Sequence, residues 1–155
     1  MLPAMSRIAA LLVLCCAALG PTPAAAAPAG ATSQAFRLCA SGPRTTCVVD
    51  GDTFWLRGEK IRIADINTPE TSQPACAREA ALGKAATRAL QALLAQGPFT
   101  LSPAPDGRDR DRYGRLLRTV TRNGQSLGAQ LVTAGLAEPW QGRRGNWCAD
   151  TAAAL

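Results

Sequence analysis

One short segment, 48–70, carries most of the residue types that could perform chemistry. It reads V-V-D-G-D-T-F-W-L-R-G-E-K-I-R-I-A-D-I-N-T-P-E, with Asp50 and Asp52 around a glycine, Arg62 in an apolar run and Glu70 at the end. Carboxylate oxygens are the ligands that hard cations prefer, and the guanidinium fork of arginine pairs with two oxygens of a phosphate. The segment therefore predicts a site for a hard cation and a phosphate group.

Each of these pieces also has a purely structural interpretation. Asp-Gly is among the commonest turn dipeptides, and Thr-Pro-Glu is an ordinary way to leave a strand, because proline cannot continue a ladder. Arg62 could form a buried ion pair with Asp52 or Glu70 and have no other role. The residues alone leave both interpretations of Arg62 open.

Two strands and a hairpin turn are expected to position these residues. Apolar residues alternate on both sides of a predicted turn at 57–60, with the period of half-buried strands. The alternating residues are Phe54, Leu56, Ile61 and Ile63. A hairpin would bring the two ends of the segment together, so that Asp50 and Asp52 face 67–70. We expect the site at a solvent-facing rim of a small sheet.

The composition excludes several kinds of site. The chain of 155 residues contains no histidine, which removes histidine-dependent triads, histidine-ligated zinc and imidazole bases. Acid–base chemistry would then depend on Asp, Glu, Lys, Tyr or bound water. The formal net charge of +6 favours polyanions, such as nucleic acid, an anionic membrane surface or an acidic glycan.

The N-terminal stretch has the pattern of a secretory signal peptide at 1–27. Arg7 precedes an apolar run, and Ala25-Ala26-Ala27 offers a cleavage site. We expect a linker at 28–34, one domain at 35–150 and a short tail at 151–155. The mature protein is then expected to be secreted or periplasmic.

The expected domain belongs to the α+β class and is mainly β. The predicted strands lie within 35–49, on both arms of the hairpin, at 99–101 and at 116–122, and the predicted helices are 75–96 and 126–134. Five strands with a helix between the third and the fourth are the element order of a five-stranded OB-fold barrel. The second helix lies near the C-terminus.

Four cysteines follow the predicted signal peptide, and an even number in an exported chain indicates disulfides. Three pairings of Cys39, Cys47, Cys76 and Cys148 are possible. Cys39 and Cys47 flank a predicted Ser-Gly-Pro turn, so we expect a local bridge between them. The second bridge, Cys76–Cys148, would pin the C-terminal end to the start of the first helix, and a loop of that length stabilises by about 4 kcal/mol in the entropy model.

The order of these motifs resembles that of the staphylococcal nuclease-like (thermonuclease) family. The resemblance rests on D-G-D-T at 50–53, the returning strand with Arg62, T-P-E at 68–70, and D-R-Y-G-R at 111–115. It extends from about Leu38 to Trp140 and implies an OB fold independently of the strand count. It also implies an exported nuclease that hydrolyses phosphodiester bonds of DNA and RNA by metal-assisted attack of water, with Ca²⁺ as cofactor.

The resemblance implies a role for each site residue. The catalytic residues are Arg62, Glu70 and Arg115, of which the arginines clamp the phosphate and Glu70 acts as general base or orients water. The Ca²⁺ ligands are Asp52, Asn67 and the carbonyl of Thr68, with Asp50 behind them. The substrate-binding residues are Arg112, Tyr113 and Trp140. Trp140 would replace base-stacking tyrosines that the family has and this chain lacks, although it could also close the core.

Asn67 is a departure from the family pattern, because the family has an aspartate ligand at this position. An amide oxygen is a weaker Ca²⁺ ligand than a carboxylate, so we expect Asn67→Asp to raise the affinity for Ca²⁺. Asp65, two positions earlier, could restore a negative charge. The alternative function is a catalytically weak or inactive OB-fold module that binds nucleic acid or protein. In either case we expect a monomer that prefers single strands and does not bind membranes.

Overall fold

The computed structural model describes residues 35–149. The predicted signal peptide at 1–27, the linker at 28–34 and the tail at 151–155 lie outside this range. Within it, the chain is α+β and mainly β, as expected, but it has nine strands where the sequence predicts five. The strands are β1 Arg37–Leu38, β2 Cys47–Val48, β3 Thr53–Leu56, β4 Glu59–Ile63, β5 Ile66–Asn67, β6 Thr100–Pro103, β7 Leu116–Arg122, β8 Gln125–Ser126 and β9 Glu138–Pro139. The helices are α1 Ala77–Ala95 and α2 Leu127–Thr133.

The strands form one mixed sheet and one small two-stranded sheet. The larger sheet has the order β1-β2-β3-β4-β7-β6, with β8 beside β7, and the smaller sheet pairs β5 with β9. The β4–β7 and β1–β2 pairs are parallel. Among the described strands, no pairing joins β1 to β6, so the larger sheet is not closed into the expected barrel.

The hairpin of β3 and β4 forms where the alternation predicts it. Its turn contains only Arg57 and Gly58, both at positive φ (52° and 87°), and Leu56 is paired with Glu59. Two central residues at positive φ match the twist of the flanking strands. The expected four-residue turn is therefore too long, since Glu59 and Lys60 belong to β4. Cross-strand register places Thr53 opposite Arg62.

Helix α1 begins at Ala77, shortly after the T-P-E segment at 68–70, and packs against that segment. A Cβ atom at Gly83 would lie 2.8 Å from the carbonyl oxygen of Glu70, and one at Gly51 would lie 2.6 Å from the Cβ of Ala86. Both glycines thus allow close approach that no side chain would permit. The buried carboxylate of Glu79 accepts hydrogen bonds from the backbone N–H groups of Glu70 (3.3 Å) and Ala75 (2.6 Å). These contacts hold the T-P-E segment, which carries Glu70, against helix α1.

The core and two disulfides hold the sheet and helices together. Phe36, Phe54 and Phe99 meet with ring centroids 5.8–6.1 Å apart, inside a cluster of buried aliphatic side chains from the strands and both helices. The predicted Cys39–Cys47 and Cys76–Cys148 bridges are both present. Residues 35–149 contain no helix that is long and apolar enough to cross a membrane.

Candidate phosphate and cation site

The turn between β2 and β3 holds two aspartates close together. The backbone N–H of Asp52 donates to Oδ1 of Asp50 (3.1 Å), and Oγ1 of Thr53 donates to Oδ1 of Asp52 (2.8 Å). Burial and, after it, the negative charge of Asp52 raise the pKa of Asp50 from its ordinary value of 3.8 to about 7. This acidic turn, Asp50 to Asp52, concentrates negative charge in a place with little water.

Arg62 points from β4 toward the acidic turn, and it is buried rather than at the expected solvent-facing rim. Its Nη2 lies 3.2 Å from Oδ2 of Asp52, and Nη1 donates to the carbonyl oxygens of Ile63 (2.6 Å) and Ile66 (3.0 Å). The Arg62–Asp52 ion pair that the sequence offers as a structural alternative is therefore formed. The guanidinium also lies 5.2 Å from the centre of the Trp140 ring, a cation–π distance.

Arg115 reaches the same place from the loop before β7. Its Nε donates to Oδ2 of Asp111 (2.7 Å), its backbone N–H donates to Oδ1 of Asp111 (3.0 Å), and Nη1 donates to Oγ1 of Thr53 (3.3 Å). Burial acts to raise the pKa of Asp111, but hydrogen bonds from Arg115 and from the Tyr113 backbone outweigh it and hold the pKa below its ordinary value. Asp111 thus orients Arg115 toward Thr53.

The segment after β4 contributes Asn67, Thr68 and Glu70. Asn67 is 2% exposed and lies opposite Glu138 in the β5–β9 pair. Its Nδ2 donates to Oε1 of Glu138 (2.9 Å), so the amide oxygen is the atom that Asn67 can offer to a cation. Oε1 of Glu70 lies 2.5 Å from Nη1 of Arg144, which is largely exposed.

These elements surround a cavity of about 60 Å³ that is lined by all seven residues predicted for catalysis and metal binding. They are Asp50, Asp52, Arg62, Asn67, Thr68, Glu70 and Arg115, joined by Pro69 and Arg144. The volume suits a hydrated ion and not a nucleotide. The available donors are carboxylate, amide and carbonyl oxygens, which fit a hard cation such as Ca²⁺. However, no group of three or more His, Cys, Asp or Glu in residues 35–149 is arranged as a metal cluster.

A second cavity of about 560 Å³ adjoins the first and is lined by the three remaining predicted residues, Arg112, Tyr113 and Trp140. Arg62, Arg115 and Arg144 line both cavities. Nη2 of Arg112 donates to the hydroxyl oxygen of Tyr113 (2.6 Å), whose side chain is largely exposed. We call this space the basic cleft, because arginines dominate its polar lining.

Trp140 lies at the wall of the basic cleft and outside the buried core cluster of the described residues. Its backbone N–H donates to the carbonyl oxygen of Asp65 (2.9 Å). The carboxylate of Asp65 accepts from Oγ of Ser126 (3.2 Å), at the start of α2, and lines neither cavity. Asp65 is therefore not placed to compensate for the neutral side chain of Asn67.

Two site residues, Glu138 and Arg144, are absent from the sequence-based set. Arg144 lies in the loop between β9 and Cys148, where Arg143-Arg144 flanked by glycines was the available signal. The Cys76–Cys148 bridge returns this loop to the start of α1, beside the T-P-E segment. Glu138 offered no local signal, because its importance depends on strand pairing with a residue 71 positions away.

The smaller cavity, which we call the cation pocket because its oxygen donors suit a hard cation, lies beside an arginine-rich cleft whose guanidinium groups can pair with a phosphate. A family model described as staphylococcal nuclease homologue matches residues 60–152, more than half of the chain. The chain belongs to this family, as its motifs indicated. The match includes Arg62, Asn67 and Arg115 and begins after the acidic turn.

Two relatives cover a similar part of the chain. Succinoglycan biosynthesis protein ExoI of Rhizobium meliloti (strain 1021) is 32% identical over 94 residues, which are 58% of this chain and 48% of that protein. Endonuclease YncB of Bacillus subtilis (strain 168) is 35% identical over 94 residues, which are 57% of this chain and 43% of that protein. The matched region thus spans less than half the length of either relative.

Proposed function

We propose that this protein is a metal-dependent nuclease that hydrolyses phosphodiester bonds of DNA and RNA, with Ca²⁺ as the metal and single strands as preferred substrate. The observation that carries the proposal is the convergence of seven predicted residues, from three separate parts of the chain, on one small cavity. Membership of the staphylococcal nuclease homologue family and similarity to an endonuclease support it. The basic cleft beside the cavity is large enough for a nucleotide.

In this proposal the cation is held by Asp52, the amide oxygen of Asn67 and the backbone carbonyl of Thr68, with Asp50 adding negative charge nearby. When bound, Ca²⁺ would polarise a phosphate oxygen and offset the negative charge that develops on the phosphoryl oxygens. A cation here would also relieve the crowding of two carboxylates in the acidic turn. The oxygen donors and the size of the cavity support this assignment.

The chain's own residues supply the remaining steps. Arg62 and Arg115 would donate hydrogen bonds to phosphate oxygens, where preorganised donors stabilise the charge of the transition state. Glu70 would orient a water molecule through the carboxylate oxygen that Arg144 does not occupy, and accept its proton. Arg112, Tyr113 and Trp140 would contact the nucleotide in the basic cleft, with Trp140 offering a face to a base.

We further propose an exported monomer with one domain at 35–150, a larger sheet that corresponds to a partly open OB-fold barrel, and a signal peptide at 1–27. The two disulfides support an oxidising compartment, secreted or periplasmic. Nucleic acid is the proposed partner because the basic cleft is lined by arginines.

A second candidate is a nucleic-acid-binding module without catalysis. Two observations favour it: the neutral Asn67 at a ligand position, and Glu70 already held by Arg144. Such a module would keep the basic cleft and its salt-dependent binding, but it would not cleave the strand that it binds.

Digestion of plasmid DNA and of RNA separates the two candidates. We expect cleavage with Ca²⁺, none with chelator, and at least about a hundredfold slower cleavage by Glu70→Gln. The matched control is Glu59→Gln, because Glu59 is an exposed glutamate paired with Arg110 outside both cavities. Cleavage that survives Glu70→Gln would reject the role proposed for Glu70, and failure of the wild type to cleave with every divalent ion would reject the nuclease assignment.

A further inference from the structure

Glu138 connects the cation pocket to the C-terminal loop through a single oxygen atom. Its Oε1 accepts from Nδ2 of Asn67 (2.9 Å) and from the backbone N–H of Gly145 (2.6 Å). Asn67 belongs to β5, whereas Gly145 follows β9 and precedes Cys148. One carboxylate therefore holds together two segments that are far apart along the chain.

The first consequence concerns the orientation of the Asn67 side chain. An ionised carboxylate can only accept hydrogen bonds, so the amide group that faces Glu138 must be the NH₂ group. The amide oxygen is then the atom left for the cavity that Asn67 lines. Without Glu138, the two ends of the amide would be close to equivalent in shape, and the oxygen would lose its fixed direction.

The second consequence concerns the loop that carries Arg144. Gly145 is adjacent to Arg144, and a Cβ atom at position 145 would collide with the Glu138 carboxylate. The backbone of Gly145 therefore approaches Glu138 more closely than any other residue type would allow. The loop is fixed at Glu138 on one side and at the Cys76–Cys148 bridge on the other, and Arg144 between them contacts Glu70.

We propose that Glu138 is a positioning residue of this site, which directs the amide oxygen of Asn67 into the cation pocket and fixes the loop that brings Arg144 to Glu70. The part of this inference that concerns Ca²⁺ rests on the proposed function. The coupling of Asn67 to Glu138 does not. The neutral amide of Asn67 is then the suitable partner for the Glu138 carboxylate. An aspartate at position 67 would place two carboxylates in direct contact.

A double-mutant cycle in chelator tests the coupling without reference to activity. The variants are Asn67→Asp, Glu138→Gln and the combination of both, with Glu59→Gln as the exposed control. We expect Asn67→Asp alone to lower the melting temperature by about 5 °C or more. Adding Glu138→Gln should recover at least half of that loss, because it restores a donor–acceptor pair. Equal melting temperatures for Asn67→Asp and the combined variant would overturn the coupling.

Calorimetric titration with Ca²⁺ alone tests the positioning role. Glu138→Ala, which removes the acceptor, should weaken Ca²⁺ binding by about tenfold, as loss of an outer hydrogen-bond partner of a ligand does. Glu138→Gln keeps an acceptor oxygen and should weaken it less, and it serves where Glu138→Ala does not fold. Unchanged Ca²⁺ affinity in a folded Glu138→Ala variant would overturn the positioning role. If no variant binds Ca²⁺ and the stability cycle still shows coupling, the cation assignment fails while the Asn67–Glu138 coupling stands.

Discussion

The two aspartate-containing turns of the site shift the pKa of their aspartates in opposite directions. In the acidic turn, burial and the neighbouring Asp52 raise the pKa of Asp50 to about 7. In the turn before β7, hydrogen bonds from Arg115 and the Tyr113 backbone outweigh burial and hold the pKa of Asp111 below its ordinary value. Both turns border the same arginines. Arg62 pairs with Asp52 and Arg115 pairs with Asp111, whereas no ion pair to Asp50 is formed among the described residues. A bound cation would favour the ionised form of Asp50, so the acidic turn is the one of the two that a cation is expected to stabilise.

The largest effect should follow from breaking the one ion pair that the acidic turn has. Arg62→Met would leave Asp52 buried beside Asp50 without its cationic partner, and removal of one member of a buried pair costs about 3–5 kcal/mol. Urea denaturation in chelator would measure the loss. Arg143→Met is the control, because Arg143 is exposed and lines neither cavity. Adding Asp52→Asn should recover much of the loss, and a variant as stable as the wild type would show that the pair does not matter.

The pH dependence of stability should separate the two turns. The folded pKa of Asp50 lies above its ordinary value, so its favourable contribution is complete below about pH 3.8 and is lost as pH rises toward about 7. Asp111 has a lowered folded pKa, so its contribution is present above pH 3.8 and is lost as pH falls. Each unit of pKa shift corresponds to about 1.4 kcal/mol.

Chemical denaturation in chelator across pH 4–8 would measure the decline expected from Asp50, because its pKa of about 7 lies in this window. Asp50→Asn should flatten the decline between about pH 4 and pH 7, and Asp111→Asn should leave that decline in place. A decline that persists in Asp50→Asn would assign it to another group and remove the contrast between the turns.

Addition of Ca²⁺ should stabilise the protein through the acidic turn and not through the turn before β7. A ligand that binds only the folded state stabilises it by about 2.7 kcal/mol at a hundredfold excess over its dissociation constant. We expect Ca²⁺ to raise the melting temperature of the wild type and of Asp111→Asn, but not that of Asp52→Asn. Mg²⁺ at the same concentration tests whether the effect is specific to Ca²⁺. Equal stabilisation of Asp52→Asn would place the bound cation elsewhere.

The residues that line the small cavity could be picked out from the sequence because they lie within short motifs. The alternation of apolar residues, which includes Phe54 and Ile61, predicts the hairpin. Its strand pairing brings Arg62 and Asp52 together. The cysteine spacing likewise led to both disulfides. Local pattern or proximity along the chain determines the hairpin and the Cys39–Cys47 bridge, and Cys76–Cys148 is then the pairing that remains.

The errors have a common physical origin in long-range pairing. The expected solvent-facing rim is wrong for Arg62, because Ile63 and Ile66 carbonyl oxygens and Trp140 cover it. The small β5–β9 sheet, which places Glu138 against Asn67, joins segments about seventy positions apart and leaves no periodic signal in two-residue strands. The five-stranded barrel was expected from element order, which does not specify how completely a sheet closes.

The smallest effect concerns Arg144, which contacts Glu70 from an exposed loop. An exposed ion pair contributes about 0–1 kcal/mol, so Arg144→Ala should leave the melting temperature almost unchanged. Arg144 also lines the basic cleft, where a phosphate could take the place of Glu70 as its partner. We therefore expect Arg144→Ala to reduce the slope of log affinity against log salt by about 0.7 for single-stranded DNA, the value for one phosphate contact.

Fluorescence anisotropy in chelator at several salt concentrations would measure the slope without cleavage of the probe. Arg143→Ala carries the same change in net charge, and its side chain lines neither cavity, so its slope should match the wild type. Equal reductions in both variants would mean that Arg144 acts only through the overall charge of the protein. Arg144 would then make no specific contact with a phosphate.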